Sequence, residues 1–423
     1  MSSPKTSCDP AIEHAALSDV GLRRTNNQDN LGVMLASTAE LWQRRGHLFI
    51  VADGMGAHAA GEYASKLAVD HVPHTYHKEP DASPAAAIRK AIEETNHMIH
   101  TRGQANPDFQ GMGTTCSTLI LLPEGALVAH VGDSRIYRLR GNRLEQLTFD
   151  HSLVWELKAS GQLSSDDVPN YIPKNIITRS LGPNPDVKVD LEGPFPMAVG
   201  DSFLLCSDGL SGQVKDEEIA AIMGALPPQE AVHALVDLAN LRGGPDNITV
   251  VIARVVAPLS GGAVDQSRFA EETPARQGFN PLVWLVPALL GLAAAGLFAA
   301  RLPIAALVFV LLTVLSAVAL SILASRKSGG GHDHSGDHFG RGPYATAIFA
   351  ANASFIQDLA KVLEQLKDAA RQEDWVLDWA KVNNLTDRAE AEAKKSDYVA
   401  AVRDYCRAIS VFMDQLRRQR RAT

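Results

Sequence analysis

Cysteine is scarce in this sequence, with four residues among 423. Cys8, Cys116, Cys206 and Cys406 lie far apart and show no paired spacing. A disulfide framework needs an oxidising compartment and normally leaves a regular pattern of paired cysteines, which is missing here. The four residues are therefore expected to be reduced thiols in a protein that faces the cytosol.

An excess of basic residues is also missing, and so is an apolar run at the start. Lys and Arg number 40 against 48 Asp and Glu, a net charge of −8, which argues against a nucleic-acid partner. Residues 1–19 contain no apolar core of roughly 7–15 residues, the mark of a signal peptide. We therefore expect the first domain to stay on the side of the membrane where the protein is made.

What the sequence does contain is a set of four short acidic stretches, each with one carboxylate in a turn. Three of them follow apolar, strand-like runs at residues 48–52, 127–131 and 203–206, which places their aspartates at strand ends. A single Asp-Gly pair is ordinary turn chemistry. Several aspartates on separate strand ends can converge on Mg²⁺ or Mn²⁺, which prefer oxygen ligands, and this indicates a multi-metal hydrolytic site. The stretches are Asp53-Gly54-Met55-Gly56, Gly132-Asp133-Ser134-Arg135, Ser207-Asp208-Gly209 and Gly244-Pro245-Asp246-Asn247.

A fifth element, residues 18–29, precedes these stretches and ends in its own polar cluster. In this order the five motifs resemble those of the metal-dependent serine/threonine protein phosphatases, the PPM or type 2C family, in its bacterial form. The resemblance covers about residues 11–256 and implies an α+β fold, a four-layer α-β-β-α sandwich, for a catalytic domain at residues 1–257. Within it, residues 151–179 are interpreted as a flap beside the site, because Gly, Ser, Asp and Pro interrupt short helical pieces there.

The resemblance implies a metal-binding role for five residues. Asp53 would bridge two metal ions, with the Gly54 carbonyl as a further ligand. Asp208 and Asp246 would complete the shell of one metal, and Asp133 would share a third, weaker metal with Asp208. The implied cofactors are Mn²⁺ or Mg²⁺, two ions bound tightly and a third more weakly. Two such ions can hold a water between them and direct it at phosphorus.

Arg24 matches the arginine that binds the substrate phosphate in this family, and its planar guanidinium suits phosphate oxygens. Together with Asp53 it is the predicted catalytic pair. Two positions depart from the family pattern: Gln28 stands where many members have Glu, which weakens it as a ligand, and Met55 stands where animal members have a histidine proposed as general acid. His58 is a conceivable substitute, but a structural or solvated histidine is the more ordinary interpretation.

The function predicted on these grounds is hydrolysis of phosphoserine and phosphothreonine in proteins by an enzyme that opposes serine/threonine kinases at the membrane. The expected substrates are phosphorylated proteins, serine/threonine kinases among them. Two alternatives stay open. The fold could be a catalytically inactive binding module, although mutually repelling aspartates argue against that. It could also be a phosphatase dedicated to one regulatory partner.

A membrane anchor is predicted after the catalytic domain. A polar linker at residues 258–280 leads into two uncharged runs, 281–300 and 302–324, separated by Arg301. At 1.5 Å per residue each run can span about 30 Å of hydrocarbon. We interpret them as a transmembrane helical hairpin of two spans in contact with membrane lipid, so that both flanking domains are cytoplasmic. A buried hydrophobic hairpin is the alternative.

The remainder is a Gly/His-rich linker at residues 325–343 and a small all-α C-terminal domain at residues 344–423. The three histidines of the linker suit either a plain spacer or a transition-metal site. Ala401, Tyr405 and Ala408 have the spacing of the second helix of a tetratricopeptide repeat, so a protein partner of these helices is possible. The basic residues 417–421 are either a solvated end or a contact for anionic lipid headgroups.

Overall fold

The computed structural model describes most of the chain. The described residues are 12–57, 59–79, 82–163, 173, 176–258, 290, 292–295, 299–300, 302, 304–305, 307–314, 316, 339–348, 353–373 and 375–422. They fall into two compact units. One comprises Met1–Phe269 together with His338–Thr423, and the other comprises Ala270–Asp337.

The strands of the larger unit pair antiparallel throughout their registers. In chain order they are β1 (Ile12–Asp19), β2 (Asp29–Met34), β3 (His47–Met55), β4 (Gly113–Thr114), β5 (Cys116–Leu122), β6 (Gly125–Val131), β7 (Arg135–Arg140), β8 (Arg143–Gln146), β9 (Asp190–Phe195), β10 (Ser202–Cys206), β11 (Ile248–Val255) and β12 (Ala345–Ile348). The first sheet has the order β1-β11-β10-β7-β8-β12, and the second has the order β2-β3-β5-β6-β9, with β4 also paired to β3.

The helices described in the larger unit are α1 (Ala39–Arg45), α2 (Ala60–Lys78), α3 (Pro84–Ala105), α4 (Leu153–Ala159), α5 (Asp208–Ser211), α6 (Asp216–Ala225), α7 (Pro228–Leu241), α8 (Ala353–Gln372), α9 (Trp379–Lys394) and α10 (Tyr398–Ala422). The start of α3 shows how the sequence sets such bounds. Ser83 accepts a hydrogen bond from the Ala86 N–H, and Pro84 occupies the first turn, where its missing N–H costs nothing.

The two sheets pack face to face, and strand β3 shows why. Its residues alternate between two cores: Phe49 and Val51 join the layer between the sheets, while Leu48 and Ile50 pack toward α2 and α3. A strand buried on both faces needs a continuous apolar run, which residues 48–52 supply. Helices α6 and α7 pack on the first sheet in a third core. The layers therefore run helix, sheet, sheet, helix, as predicted.

The C-terminal region is helical, as expected, but an all-α description of it is wrong in one respect. Ala345–Ile348 form the strand β12, which pairs with β8 and adds an edge strand to the first sheet. Just before it, Phe339 bridges Gly193, and the Gly342 N–H donates to Glu192 Oε2 at 2.9 Å. The open edge of β8 provides the hydrogen-bonding partners that make this short segment a strand.

Helix α10 lies against α6 and α7, the helices that pack on the first sheet. Arg407 forms a two-pronged ion pair with Glu230, with Nε 2.6 Å from Oε2, and Arg403 Nε donates to the Ala225 carbonyl at 2.9 Å. The Ala401, Tyr405 and Ala408 side chains are buried in the shared core. The tail thus belongs to the same compact unit as the sheets, while the tetratricopeptide likeness and the domain bounds remain predictions.

The predicted hairpin at 281–300 and 302–324, and the linkers on either side of it, lie largely outside the described residues. Within the described part of the chain, we find no helix that is both long enough and apolar enough to cross a bilayer. Several described side chains of the smaller unit are nevertheless exposed and apolar, with Ile304 at 81% and Leu307 at 71%.

Candidate active site

Asp53 lies near the end of β3, where the backbone is tied on both sides. Its N–H donates to Thr115 Oγ1 at 2.8 Å, and its carbonyl accepts from the Thr115 N–H at 2.9 Å and from Thr114 Oγ1 at 3.0 Å. In the β2–β3 register its direct partner is Asp29. The sheet therefore places two carboxylates side by side at one edge of the sandwich.

Gly54 continues this edge in a position that only glycine can occupy. A Cβ there would lie 2.1 Å from the Gly61 carbonyl oxygen at the start of α2. The Gly54 N–H donates to the Gln28 carbonyl at 3.1 Å, which ties β3 to the loop before β2. This close packing of backbone against backbone fixes the turn that follows Asp53.

Asp208 is the first residue of α5 and is separated from the end of β10 by one residue. The residue before it, Ser207, donates from Oγ to Asp29 Oδ2 at 2.7 Å and accepts from the Thr249 N–H at 3.0 Å. A Cβ on Gly209 would lie 1.9 Å from the Asn247 carbonyl oxygen. The turn that carries Asp208 and the turn before β11 are therefore held against each other.

Asp246 lies in that second turn, next to Arg24. The Arg24 guanidinium donates to Asp246 Oδ2 at 2.7 Å, and 51% of the Arg24 side chain is exposed. Asn247 organises the loop that carries Arg24: its Oδ1 accepts from the Gln28 N–H at 2.8 Å, and its Nδ2 donates to the Asn26 carbonyl at 3.0 Å. The arginine is thus placed at the rim of the site with its outer face open.

Asp133 follows β6 and is only 8% exposed. Its Oδ1 is buried without a hydrogen-bond partner in the described part of the chain, and so is Oδ1 of Asp29. A buried carboxylate oxygen without a donor costs free energy unless a cation or proton compensates it. Two such oxygens at one edge of the sandwich fit a site for hard cations.

The pKa values of the clustered aspartates also indicate a site for cations. Burial raises the pKa of Asp53 well above its usual range, and repulsion from Asp29, Asp208, Asp133 and Asp246 adds to the effect. Burial, followed by the charge of Asp208, raises the pKa of Asp133 to about 7, and burial raises that of Asp29 to about 6. A buried cluster of like charges is stable only when countercharge is supplied.

The side chains alone do not complete a metal shell. In the regions that the structure describes, no three His, Cys, Asp or Glu side chains are grouped closely enough to hold a metal ion by themselves. Mg²⁺ and Mn²⁺ also take backbone carbonyl and water oxygens and keep several waters. The donor set therefore fits these ions with carbonyl and water ligands beside the carboxylates.

All six predicted residues meet at this edge of the sandwich. Mutual charge effects link Arg24, Asp53, Asp208 and Asp246, and Asp133 acts on Asp53 as well. Their individual roles as ligands remain predictions. Met55 is the last residue of β3, and its thioether cannot donate a proton. His58 lies outside the described residues.

Sequence reasoning missed three residues that build the site: Asp29, Ser207 and Asn247. Each stands inside a motif already singled out, beside a residue with an assigned role. The signal that could have found them is their polar character next to a predicted ligand. Their contacts, however, depend on the pairing of distant strands and loops.

Comparison with known proteins agrees with this geometry. The family model for protein phosphatase 2C matches residues 23–238, which is half of the chain. The chain belongs to the protein phosphatase 2C family. Its catalytic domain is accordingly that of a metal-dependent serine/threonine protein phosphatase.

Relatives of this 2C-family chain come from several bacteria. It is 35% identical over 263 residues to the serine/threonine protein phosphatase PstP of Mycobacterium tuberculosis, an alignment that covers 60% of this chain and 48% of that protein. The chain thus spans about half the length of this relative. It is 38% identical over 246 residues to the protein phosphatase PhpP of Streptococcus pneumoniae, with 57% of this chain and 96% of that one covered.

Solved structures of the family superpose on the same region. The catalytic domain of the serine/threonine protein phosphatase PstP, in complex with two manganese ions, gives a TM-score of 0.50 at 36% identity and covers 58% of this chain and 99% of its own. This 2C-family domain has carboxylate and carbonyl oxygen donors of the kind that suit such ions.

Proposed function

We propose that the whole chain is a membrane-anchored phosphatase that hydrolyses phosphoserine and phosphothreonine in proteins and so opposes serine/threonine kinases. The observation that carries this proposal is the convergence of Asp53, Asp208 and Asp246 beside Arg24, an arginine with an open outer face. A related chain named as a serine/threonine protein phosphatase supports it, and so does a second relative named as a protein phosphatase.

The residues of the site have separate roles in the proposed reaction. When bound, a pair of Mn²⁺ or Mg²⁺ ions activates and orients the attacking water. Asp53 and Asp208 hold countercharge for those ions at the edge of the sandwich, while Asp29 and Ser207 fix the two turns relative to each other. Arg24 binds the phosphate oxygens of the substrate from the rim.

The decisive experiment is an assay of the full chain, in detergent, on a phosphothreonine peptide. We expect phosphate release with Mn²⁺ and none after EDTA treatment, because the carboxylate cluster needs its cations. A folded, Mn²⁺-loaded protein without turnover would favour the inactive binding module instead.

Arg24→Lys keeps the positive charge but loses the planar, two-pronged fork, so it should raise KM for phosphopeptides several-fold, and Arg24→Ala should raise it further. Steady-state kinetics on the same peptide measure both. Arg23→Ala is the matched control, because Arg23 is the neighbouring arginine of the same loop. If KM is unchanged in both Arg24 variants and raised in Arg23→Ala, then Arg23 and not Arg24 binds the substrate phosphate.

The membrane part of the proposal is a hairpin formed by residues 281–300 and 302–324, with the catalytic and C-terminal regions both cytoplasmic. Exposed apolar side chains such as Ile304 and Leu307 support contact with lipid. The larger unit supports an even number of spans, because β12 pairs with β8 although the apolar segment lies between them in sequence. An odd number would place these paired strands on opposite sides of the membrane.

Reporter fusions at residues 328 and 423 should therefore both give the cytosolic signal. A cysteine placed at position 301 should react with a membrane-impermeant maleimide added outside, whereas one at position 328 should not. The native Cys116, Cys206 and Cys406 are buried, so background labelling from them should be low, and Cys8, which lies outside the described residues, is replaced by Ser in both variants. An extracytosolic signal at residue 423 would contradict the hairpin and indicate a single span.

A further inference from the structure

The loop between β1 and β2 carries Arg24 and rests on the turn before β11. The Leu22 and Arg23 N–H groups both donate to the Gly244 carbonyl, at 2.8 and 3.2 Å. These two residues directly precede Arg24 in the sequence. The backbone that leads to the arginine is therefore fixed by a single carbonyl of the opposite turn.

Asp19, the last residue of β1, fixes the start of this loop. Its Oδ1 accepts from the Gly21 N–H at 2.9 Å. Gly21 has φ +78°, a left-handed conformation that favours glycine, and a Cβ there would lie 2.2 Å from the Asp246 carbonyl oxygen. The loop thus touches the turn that carries Asp246, and the Asp19 carboxylate stabilises the conformation that makes this contact.

The same carboxylate oxygen accepts a hydrogen bond from helix α7. Asn240, in the last turn of that helix, donates from Nδ2 to Asp19 Oδ1 at 3.1 Å and is only 3% exposed. Because a carboxylate accepts hydrogen bonds, the amide nitrogen of Asn240 and not its oxygen faces Asp19. The oxygen packs on the turn before β11, where a Cβ on Gly244 would lie 2.5 Å from it. One side chain therefore contacts both ends of the loop's support.

Helix α7 gives this contact a fixed base. The helix packs on β1 and β11 and also on α10. Asp237, one turn before Asn240, is bound by Arg417 and Ser410 of α10. A helix that is close-packed against both the sheet and the C-terminal tail keeps one position. The Asn240 amide is consequently presented to Asp19 from a rigid element.

We propose that Asn240 is a positioning residue for the arginine that binds the substrate phosphate. Its hydrogen bond to Asp19 docks the β1–β2 loop on α7 and so holds the Arg24 guanidinium at the rim of the site. This rests on the proposed function, in which Arg24 binds the phosphate oxygens. Loss of the contact would weaken phosphate binding and leave the affinity for metal ions unchanged.

An exchange of the two partners tests the contact directly. Asn240→Asp replaces the donor amide with a carboxylate that repels Asp19, so the loop should lose its support. The double variant Asp19→Asn/Asn240→Asp places the amide on the strand and the carboxylate on the helix, which restores a donor and an acceptor across the contact. The amide oxygen of that variant can still accept from the Gly21 N–H.

The test combines steady-state kinetics of the full chain, in detergent, on the phosphothreonine peptide with calorimetric titrations of Mn²⁺ and, in Mg²⁺, of inorganic phosphate. We expect Asn240→Asp to raise KM and the Kd of phosphate by about tenfold, less than the roughly 10²-fold loss that misplacement by about 1 Å can cause. Both kcat and Mn²⁺ affinity should stay near those of the parent, as for a loss of substrate binding alone. The double variant should recover most of the lost affinity.

Two variants of Asp19 test the same contact without a new charge in the helix. Asp19→Ala removes the acceptor and should raise KM as Asn240→Asp does, whereas Asp19→Asn keeps an oxygen that can accept both hydrogen bonds and should leave KM near that of the parent. They decide the question if Asn240→Asp does not fold. Gln229→Glu is the matched control, because it makes the same amide-to-carboxylate change at an exposed position of α7.

A lower Tm in Asn240→Asp and Asp19→Ala, with KM and phosphate affinity unchanged, would overturn the proposal and leave Asn240 a structural residue. A raised KM that persists in a folded double variant would overturn it as well, because the contact with Asp19 would then not be the cause. Failure of the proposed function looks different. The parent chain would then release no phosphate from the peptide, while the phosphate titration would still compare the parent with Asn240→Asp.

Discussion

Asp208→Asn should abolish measurable phosphatase activity while the domain still folds. Asp208 starts α5 directly beside Asp53 and Asp246, and the exchange removes one negative charge that countercharges the metal ions. Residues behind metal ligands carry about 10–100-fold of activity, and a ligand itself should carry more, so we expect a loss of about 10³-fold or greater. Phosphate release from a phosphothreonine peptide at saturating Mn²⁺ measures it. Asp53→Asn should behave in the same way.

Asp208→Asn should also stabilise the fold when no metal is bound. Burial raises the pKa of Asp208 and repulsion from Asp246 adds to it, so the ionised carboxylate destabilises the metal-free fold. Asp208→Asn should therefore raise Tm in EDTA while it lowers activity in Mn²⁺. Asp186→Asn, at an exposed position away from the site, should change neither quantity. Near-normal turnover in Asp208→Asn would show that Asp208 is not a metal ligand.

The pH dependence of the metal-free protein follows from the same charges. The pKa of Asp133 is raised from 3.8 to about 7, so the folded state binds a proton that the unfolded state releases. The free energy of unfolding in EDTA should consequently fall as pH rises from about 4 to about 7, and level off above that. Asp133→Asn should flatten this slope, which thermal unfolding at a series of pH values would measure.

Much of the site could be predicted because its residues follow strands that are recognisable in isolation. The run at residues 48–52 is apolar without interruption, as a strand buried on both faces requires, and Asp53 comes directly after it. Asp133 and Asp208 follow β6 and β10 in the same way. Aspartates at several strand ends indicate a site for hard divalent cations. Their order along the chain is what resembles the type 2C phosphatase family.

Asp29 could not be assigned on this basis. Its importance comes from the β2–β3 register, which places it opposite Asp53, and from Ser207, a residue far away in sequence. A shift of one residue would turn its side chain to the other face. Local pattern does not fix such a register, because it depends on the packing of both strands.

The C-terminal region shows a second limit of sequence reasoning. Periodicity identified helices there, but it does not say which surface an apolar face will cover. Strand β12 is four residues long and owes its conformation to the edge of β8. The docking of α10 depends on charges of α7 that meet it only in the folded state, above all Asp237.

Arg417→Ala should destabilise the whole larger unit. Asp237 is 0% exposed, and its partners on α10 are Arg417, in an ion pair, and Ser410, whose Oγ lies 2.9 Å from Oδ2. Removal of one partner from a buried pair typically costs about 3–5 kcal/mol, because the other charge stays buried. Chemical denaturation of the full chain in detergent would measure the loss.

The loss should depend on pH. Burial raises the pKa of Asp237 to about 7, although Arg417 and Ser410 partly oppose the rise. At pH 6 the Asp237 carboxyl can bind a proton whether or not Arg417 is present, whereas at pH 8 the parent holds an ionised pair that the variant has lost, so the expected loss is smaller at pH 6 than at pH 8. Lys395→Ala is the control, since Lys395 is two-thirds exposed in its pair with Glu392 and surface pairs contribute at most about 1 kcal/mol.

Hydrogen exchange distinguishes a docked tail from an independent one. If α10 is part of the phosphatase core, Arg417→Ala should speed exchange in α7 as well as in α10, because both helices bury their apolar faces in the same cluster. Faster exchange confined to α8, α9 and α10, with α7 and the denaturation midpoint unchanged, would mean that the tail folds on its own. In that case the pairing of β12 with β8 would be the one remaining structural support for an even number of membrane spans, because helices that fold on their own do not need to lie on the same side of the bilayer as α7.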